Sequence, residues 1–394
     1  MKLSSLTYHR LVNAAKLALV LPAALVSRAF RPNVWLVCER PDQARDNGYC
    51  FYRYLKRQHP EQPVYYIIEE GAADRKKLAE LGGLIAYDSW RHYFYYCLSR
   101  VHISAHTNGC KPSDNPFTRY VKGILQNKVV FLPHGVSYGV ADFCLAKYKM
   151  IDLFICSGKP EYENVLANYG YTPEQVAYTG FPRLDGWHHI DIKPGQILLM
   201  PTWRLYLAQN PETVIEETGY FRAYMDLLNS PELAKLLDAY DLRLIFYLHH
   251  NMRQYVESFQ TDCERIEIVY RDDQYDIQEL LKSSALLITD YSSVHFDFAY
   301  MGKPVLYYQF DREEFFSRQY QKGNFDAERD GFGPVALSQE ALLQNLRDAA
   351  ENGLKMEPLY YGRMRNFYQL YDEHNCDRVY EAIKGSGFNY NDYS

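Results

Sequence analysis

The stretch ALLITDYSSVHFDFAYMGKPVLYYQFD, residues 285–311, decides the fold of this chain. Its first residues, Ala285 to Ile288, form an apolar run that is typical of a buried parallel strand. Ser292 and Ser293 stand where a helix would begin, a glycine and a proline would end that helix, and Val305 to Tyr308 predict the next strand. The stretch therefore predicts a strand–helix–strand unit of a parallel sheet.

Polar groups gather where this strand meets this helix. The hydroxyls of Ser292 and Ser293 stand beside the free backbone N–H groups of a helix start, an arrangement that suits phosphate. A lone serine pair before a helix is more often only a helix cap. Three carboxylates close to the pair along the chain favour the phosphate interpretation, namely Asp290, Asp297 and Asp311.

The composition is that of a folded chain large enough for two domains. It has 394 residues, of which 47% are hydrophobic, so two cores can be buried. The net charge of −6 argues against nucleic acid as a partner, because proteins that bind nucleic acid normally present a basic surface. The eight cysteines are scattered without a C-x-x-C pair, which favours a reducing cytosol.

The motifs of several common enzyme classes are missing from the sequence. No Cys/His spacing suits zinc. There is no Walker loop and no G-x-S-x-G elbow, which excludes P-loop ATPases and α/β-hydrolases. We therefore expect neither a metal nor a cofactor.

The N-terminal region has a membrane-like composition. Residues 11–30, LVNAAKLALVLPAALVSRAF, are mostly apolar, but their longest uncharged run, Leu17 to Ser27, is shorter than the ~20 residues that a membrane span needs. No clear signal-peptide cleavage site follows them. Because basic residues flank the apolar ones, we expect residues 1–32 to form a helical segment that associates with a membrane in its plane. A first helix packed on the body of the protein is the alternative.

From residue 33 onward, β-like apolar runs alternate with helical patterns, which predicts doubly wound parallel sheets. A break at residues 190–195 separates two sets, so we expect Rossmann-like domains at 33–190 and 195–375, facing each other across a cleft, with the last helices packing back on the first domain. The predicted strands are Val34 to Cys38, Val64 to Ile68, Leu84 to Tyr87, Val101 to Ser104, Val129 to Leu132, Asp152 to Cys156 and Val176 to Thr179 in the first set, and Ile197 to Met200, Leu242 to Tyr247, Ile266 to Val269, Ala285 to Thr289 and Val305 to Tyr308 in the second.

Five of these strands are followed directly by residues that can act on a phosphate ester, and ligands bind at such strand ends in doubly wound sheets. A single histidine at a strand end is usually a satisfied structural residue, but five polar strand ends together indicate a site. His134, followed by glycine, can take a proton from a hydroxyl near neutral pH. His249 can donate a hydrogen bond to a phosphate oxygen.

Further polar residues complete the predicted site. Arg204 and Arg183 can grip phosphate bidentately, although Arg183 could equally pair with Asp185. Asp297 could reach a ribose or polyol hydroxyl. The donor-binding residues that we predict are Thr202, Arg204, Arg183, Asp290, Ser292, Ser293 and Asp297, and those on the acceptor side are Asp46 and Asn47.

At these positions the chain resembles the CDP-glycerol glycerophosphotransferases, the teichoic-acid primases and polymerases of Gram-positive bacteria. The likeness runs over about residues 33–340, and TDYSS together with PTWR makes it specific. It rests on the segments WLVCERPDQARDNGYCFYRYL (35–55), HG (134–135), YTGFPRLD (178–185), ILLMPTWR (197–204), LHHN (248–251) and the opening stretch.

The resemblance implies a GT-B-like α/β fold with the acceptor domain first and the nucleotide-donor domain second. It implies transfer of glycerol phosphate from CDP-glycerol, or of ribitol phosphate from CDP-ribitol, with release of CMP at the cytoplasmic face of the membrane. The acceptor would be a polyprenyl-linked saccharide or a polyol-phosphate chain. His134 would activate the acceptor and His249 would bind the donor phosphate, with Asp290, Ser292 and Ser293 around the donor.

Two departures from the family pattern leave alternatives open. Members often carry H-G-T-P-L-K where this chain has HGVSYG, residues 134–139, which bears on the acceptor. A proline commonly follows the second histidine, whereas this chain has His250, so the role falls to His249 or His250. A primase, a polymerase, a ribitol analogue or a capsule enzyme would all fit. So would a glycosyltransferase that uses a nucleotide sugar, or a non-catalytic subunit that binds polyanions.

Overall fold

The structure is a computed structural model. It describes residues 5–30, 33–107, 110–113, 118–137, 139, 144–148, 150–210, 212–270, 276–318 and 325–385. Residues 5–9, 118–120 and 250 are described by their backbone alone.

Within this part of the chain, strands and helices alternate as the sequence predicts. The strands are β1 (Trp35–Cys38), β2 (Val64–Ile68), β3 (Leu84–Ala86), β4 (Val101–Ser104), β5 (Lys128–Phe131), β6 (Leu153–Cys156), β7 (Val176–Tyr178), β8 (Gln196–Leu199), β9 (Arg243–Leu248), β10 (Ile266–Tyr270), β11 (Leu286–Thr289), β12 (Val305–Tyr308) and β13 (Val335–Ala336). The helices are α1 (Ser5–Phe30), α2 (Asn47–Gln58), α3 (Arg75–Ala79), α4 (Trp90–Leu98), α5 (Thr118–Leu125), α6 (Lys159–Asn168), α7 (Leu205–Gln209), α8 (Gly219–Leu228), α9 (Pro231–Ala239), α10 (Ile277–Ser283), α11 (Val294–Tyr300), α12 (Arg312–Arg318), α13 (Ala327–Asp330), α14 (Gln339–Glu351), α15 (Pro358–Phe367) and α16 (Asn375–Lys384).

The chain divides into two compact units. The first comprises Met1–Asp185 together with Asp372–Ser394, and the second comprises Gly186–Tyr371. The boundary between the units lies after Asp185 rather than at 190–195. His188 already contacts the second unit, because its Nε2 lies 2.8 Å from the Tyr300 hydroxyl. Helix α16 belongs to the first unit.

The first unit contains a parallel sheet of seven described strands in the order β3-β2-β1-β4-β5-β6-β7. All of its strand pairs are parallel, and buried Leu36, Ile67 and Ile85 belong to a core on one side of the sheet. The strand order reverses between β1 and β4. Such a reversal opens a crevice at the carboxyl ends of the strands, so the loops after β1 and β4 border the natural ligand position of this sheet.

The second unit contains a parallel sheet of six described strands in the order β10-β9-β8-β11-β12-β13. Its core holds Ile197, Phe246 and Ile288 from the central strands, all buried. Here the order reverses between β8 and β11, which are joined in register from Leu286 opposite Ile197. The loop after β8 and the TDYSS loop after β11 therefore border the second crevice.

Helix α1 packs against α4 in the first unit. Leu17 and Ala24 are buried in the core of that unit, and the guanidinium of buried Arg28 donates to the carbonyl oxygens of Leu125 (2.8 Å) and Ser99 (3.3 Å). By length and composition alone, residues 10–30 form a helix that could cross a membrane. Core helices of soluble proteins and N-terminal signal sequences satisfy the same criteria. The expected apolar N-terminal helix is thus present, with one face packed on the protein.

Candidate active site

Glu39 shapes the loop that follows β1. The residue is buried, and its carboxylate accepts hydrogen bonds from the backbone N–H groups of Arg45 (2.8 Å), Asp46 (3.0 Å) and Tyr49 (2.7 Å). Burial, and then the neighbouring Asp46 carboxylate, raises the pKa of Glu39 to about 7. Gly48 is required here because a Cβ atom would lie 2.8 Å from Cγ of Glu39. The buried carboxylate therefore sets the path of the chain into α2.

Asn47 and Asp46, predicted on the acceptor side, connect three strand-end loops of the first sheet. Fully buried Asn47 donates through Nδ2 to the carbonyl oxygen of Pro133 (2.6 Å), and its Oδ1 accepts from the backbone N–H of Arg183 (3.1 Å). Asp46 caps α2 and forms an ion pair with Arg183 at 2.8 Å. The two side chains thus hold the loops after β1, β5 and β7 together.

The structure gives Arg183 partners other than a phosphate. Its guanidinium is buried in the first unit against Asp46, not paired with Asp185. Asp185 instead accepts from the backbone N–H groups of Asn375 (2.8 Å) and Cys376 (2.9 Å) at the start of α16. The ion pair with Asp46 shows that buried Arg183 holds two strand-end loops together, and its role in donor binding stays a prediction.

His134 is exposed in the loop that follows β5, and this loop is held at two points, one on each side of His134. On one side of His134, Pro133 accepts from Asn47. On the other, the backbone N–H of Ser137 donates to the carboxylate of Glu161 at 2.6 Å. Glu161 is buried, and burial raises its pKa to about 7 although it also accepts from the backbone N–H of Ser157 at 2.7 Å. The loop therefore presents the imidazole of His134 from a fixed backbone.

In the second unit, Arg204 is the centre of a buried charge network. Its Nε donates to Asp311 (2.8 Å), its Nη2 donates to Asp290 (2.9 Å) and Asp311 (3.1 Å), and its Nη1 donates to the carbonyl oxygen of Thr202 (2.6 Å). Asp290 also accepts from the backbone N–H groups of Thr202 (2.8 Å) and Tyr291 (2.6 Å). The rings of Tyr220, Tyr291 and Phe315 lie about the guanidinium.

This network joins the loops after β8, β11 and β12, which are neighbours in the second sheet. Arg204 and Asp290 are each 1% exposed, so neither side chain reaches solvent. Both were predicted to contact the donor directly, but the structure shows them bound to each other. They hold the two borders of the crevice between β8 and β11 in place.

Three hydroxyls lie at this same crevice. Ser293 precedes α11, but its side chain makes no capping hydrogen bond, so helix capping does not account for its hydroxyl. Ser292 is partly exposed beside it. The Thr202 hydroxyl is buried and has no hydrogen-bond partner among the residues that the structure describes. Asp297 lies in the first turn of α11.

His249 follows β9 directly and stacks on Trp203, with ring centroids 6.0 Å apart and an angle of 21° between the planes. Its Nδ1 accepts from the backbone N–H of Asn251 at 3.2 Å. A neutral ring that accepts at Nδ1 carries its proton on Nε2, as a hydrogen-bond donor to a phosphate oxygen would. The side chain of His250 lies outside the described residues. These contacts suit the role predicted for His249, and the choice between the two histidines stays a prediction.

Sequence reasoning missed three residues that shape the strand-end loops of the first sheet, Glu39, His106 and Glu161. His106 follows β4 as His134 follows β5, and their rings stack at 5.2 Å. The same strand-end rule that found His134 would have found His106, whereas Glu161 lies on α6 and carries no such local signal. Over the described ranges, no group of three or more His, Cys, Asp or Glu residues could hold a metal ion.

Comparison with known proteins identifies the family. The family model described as CDP-Glycerol:Poly(glycerophosphate) glycerophosphotransferase matches residues 23–385. The minor teichoic acid biosynthesis protein GgaB of Bacillus subtilis is 31% identical over 369 residues, which cover 90% of this chain but 40% of that protein. The teichoic acid glycerol-phosphate transferase of Staphylococcus aureus is 22% identical over 58% of this chain and 60% of its own length.

Among solved structures, a histidine-to-alanine variant of the wall teichoic acid polymerase TagF matches with a TM-score of 0.65. The match covers 96% of this chain and 98% of that one at 16% identity, so it shows the fold alone. It confirms the GT-B-like α/β fold expected from the motifs. With the family model spanning nearly the whole chain, the protein belongs to the CDP-glycerol:poly(glycerophosphate) glycerophosphotransferase family.

Proposed function

We propose that this chain transfers glycerol phosphate from CDP-glycerol to a hydroxyl of a membrane-linked acceptor and releases CMP, in the synthesis of a teichoic acid or a related polyol-phosphate polymer. The single observation that carries the proposal is that each sheet has polar groups suited to one half of this reaction at the carboxyl ends of its strands, on strands that border the strand-order reversal or lie next to those that do. The first sheet has the exposed imidazole of His134 on a loop held at two points. The second sheet has the imidazole of His249 and the hydroxyl of Ser293, which makes no helix-capping hydrogen bond.

The reaction would be an in-line displacement at the β-phosphorus of CDP-glycerol. The acceptor oxygen forms a bond to phosphorus while the bond to the bridging oxygen breaks, and CMP leaves with that oxygen and its electron pair. The acceptor proton passes to His134. Positioning and charge stabilisation supply most of the rate in phosphoryl transfer, so no covalent intermediate is needed.

On the donor side, the second crevice offers neutral hydrogen-bond donors, because the guanidinium of Arg204 is already matched by Asp290 and Asp311. His249 would donate from Nε2 to a pyrophosphate oxygen, and Ser292 and Ser293 would donate their hydroxyl protons. Asp297 would accept from a ribose or polyol hydroxyl.

We further propose that α1 lies in the plane of the membrane. Its side chains with polar contacts point to the protein: Asn13 donates to Ser113 (2.8 Å), Lys16 donates to the carbonyl oxygen of Asp88 (3.3 Å), and Arg28 is buried. Between residues 11 and 30 every exposed residue is apolar. They are Leu11, Ala15, Ala18, Leu19, Pro22, Ala23, Leu25, Val26, Ala29 and Phe30. A continuous apolar stripe on a helix whose polar groups are satisfied by protein fits partial insertion into a lipid interface.

Nucleotide release by the purified chain tests the catalytic proposal. The protein is incubated with CDP-glycerol, CDP-ribitol or a nucleotide sugar, together with a lipid-linked acceptor, and the nucleotide product is identified. We expect CMP from a CDP-polyol, abolished in His134→Ala and in His249→Ala. Partly buried His59 and exposed His189 provide alanine controls, one in each unit, that should keep activity.

The alternatives give different products. A nucleoside diphosphate released from a nucleotide sugar would identify a glycosyltransferase instead. Binding of a CDP-polyol without any turnover would identify a non-catalytic subunit. Wild-type turnover in both histidine variants would refute the assigned roles.

A further inference from the structure

His106 lies at the strand-order reversal of the first sheet. It follows β4 by two residues, and β4 is the strand across the reversal from β1. The backbone N–H of His106 donates to the hydroxyl of Ser104 at 3.1 Å, which turns the chain at the end of the strand. The ring therefore stands at the carboxyl edge of the sheet, where doubly wound sheets bind their ligands.

The ring of His106 stacks against the ring of His134. The two imidazoles stack with their centroids 5.2 Å apart and with 21° between their planes. His134 is exposed and His106 is partly buried, so His106 is the inner ring of the pair. Across the described residues, neither ring nitrogen of His106 has a hydrogen-bond partner.

Two other histidines of the same unit show what a structural histidine looks like here. His92 is buried, with its Nε2 2.9 Å from the carbonyl oxygen of Cys110, and its Nδ1 accepts from the backbone N–H of Asp88. His102, on β4 itself, lies with Nε2 2.7 Å from the Ser99 hydroxyl. His106 lacks such partners, so satisfying a buried polar group does not account for it.

The surroundings of His106 keep its ring uncharged near neutral pH. Burial, and then the neighbouring His134, lowers the pKa of His106 to about 4, and Arg40 acts in the same direction. Asp46 and Asp42 oppose these effects but do not outweigh them. A neutral inner ring can pack on the outer ring without repelling a proton that arrives there.

We propose that His106 is a positioning residue for His134, an uncharged flat surface that fixes the orientation of the base and leaves the base free to take up a proton. This inference rests on the proposed role of His134. It requires the shape and the neutrality of His106 and not its nitrogen atoms, which distinguishes it from direct contact with substrate.

Three substitutions separate these requirements. His106→Phe keeps a flat neutral ring, and we expect kcat within about twofold of the wild-type value with an unchanged pH–rate profile. His106→Ala removes the surface, and we expect kcat to fall tenfold or more while KM for the CDP-polyol changes less than twofold. His106→Lys places a charge beside the base, and the acidic limb of the profile should move down by about one pH unit.

His59→Phe is the matched control. His59 also stacks on an aromatic ring, that of Tyr380 at 3.8 Å, but it follows the far end of α2, a 12-residue helix about 18 Å long. The His59→Phe substitution should leave kcat and the pH–rate profile unchanged. Wild-type kcat in His106→Ala, or an equal loss in His106→Phe and His106→Ala, would overturn the inference while leaving CMP release, and so the proposed function, intact.

A spectroscopic measurement decides the inference even if no CDP-polyol is turned over. In protein labelled with ¹³C-histidine, the His134 resonance is identified by its loss in His134→Gln. The ring current of the aromatic side chain at position 106 should shift the His134 resonance in the wild type and in His106→Phe. In His106→Ala the resonance should return to the position of a histidine without a stacked neighbour. An undisplaced resonance in the wild type would refute the stacked arrangement.

Discussion

Replacing Arg204 by methionine tests whether this arginine supports the second crevice or binds the donor phosphate. Methionine keeps much of the side-chain volume among the surrounding rings but removes the charge. Asp290 and Asp311 would then remain as two buried carboxylates without their shared partner, since their side chains are 0% and 8% exposed. Removing one partner of a buried ion pair costs about 3–5 kcal/mol, because the remaining charge is left uncompensated.

Urea denaturation provides the measurement. With a slope of about 2–3 kcal/mol per molar urea, a loss of that size lowers the unfolding midpoint of the second unit by about 1–2.5 M. Tryptophan fluorescence follows the second unit through Trp203, adjacent to Arg204, and Trp187 when Trp35 and Trp90 of the first unit are replaced by phenylalanine in both the parent chain and the variant. The matched control is Arg318→Met, which removes an exposed pair with Glu314 and should cost less than about 1 kcal/mol.

Two results decide between the roles of Arg204. If Arg204→Met unfolds like the control but no longer releases CMP, the arginine contacts the donor and the argument from its buried partners is refuted. If the variant loses stability, neutralising both carboxylates as Asp290→Asn and Asp311→Asn in the same chain should recover part of the loss. A buried charge network can be replaced by neutral groups at little cost, whereas a broken one cannot.

Three further predictions concern other parts of the molecule. Among the residues that the structure describes, neither ring nitrogen of buried His295 has a hydrogen-bond partner, so His295→Met should raise the free energy of unfolding by about 1–3 kcal/mol. Burial lowers the pKa of His295 to about 3, so its contribution to stability falls as pH decreases below 6.5; the gain in urea denaturation should therefore be larger at pH 5.5 than at pH 7.5, and an equal gain would contradict this. Asn47→Ala, which frees the Pro133 carbonyl oxygen, should lower kcat for CMP release at least tenfold with little change in KM, and unchanged kcat would show that the loop needs no such tie. Leu19→Asp with Val26→Asp should reduce co-sedimentation with anionic vesicles at least tenfold, whereas Ile192→Asp, an exposed control, should not.

The sequence predicted the twelve longer strands because each is a short run of apolar, often β-branched residues bounded by turn residues, which is a local pattern. Of the strands that the structure describes, only β13, two residues long, was missed. The same pattern located His134, His249, Ser292 and Ser293, because residues just after parallel strands gather at one edge of a sheet. Fold class and the candidate histidines could thus be predicted without any tertiary contact.

Partners distant in sequence were decided only by the tertiary structure. Arg204 meets Asp290 and Arg183 meets Asp46 because strand order brings their loops together, and that order is not written in the local pattern of either residue. Two histidines near the end of β4 look alike in sequence, yet packing buries His102 in the core and stacks His106 on the candidate base. A strand end predicts that a side chain is near the site, while long-range packing determines whether it faces the substrate or supports a neighbour.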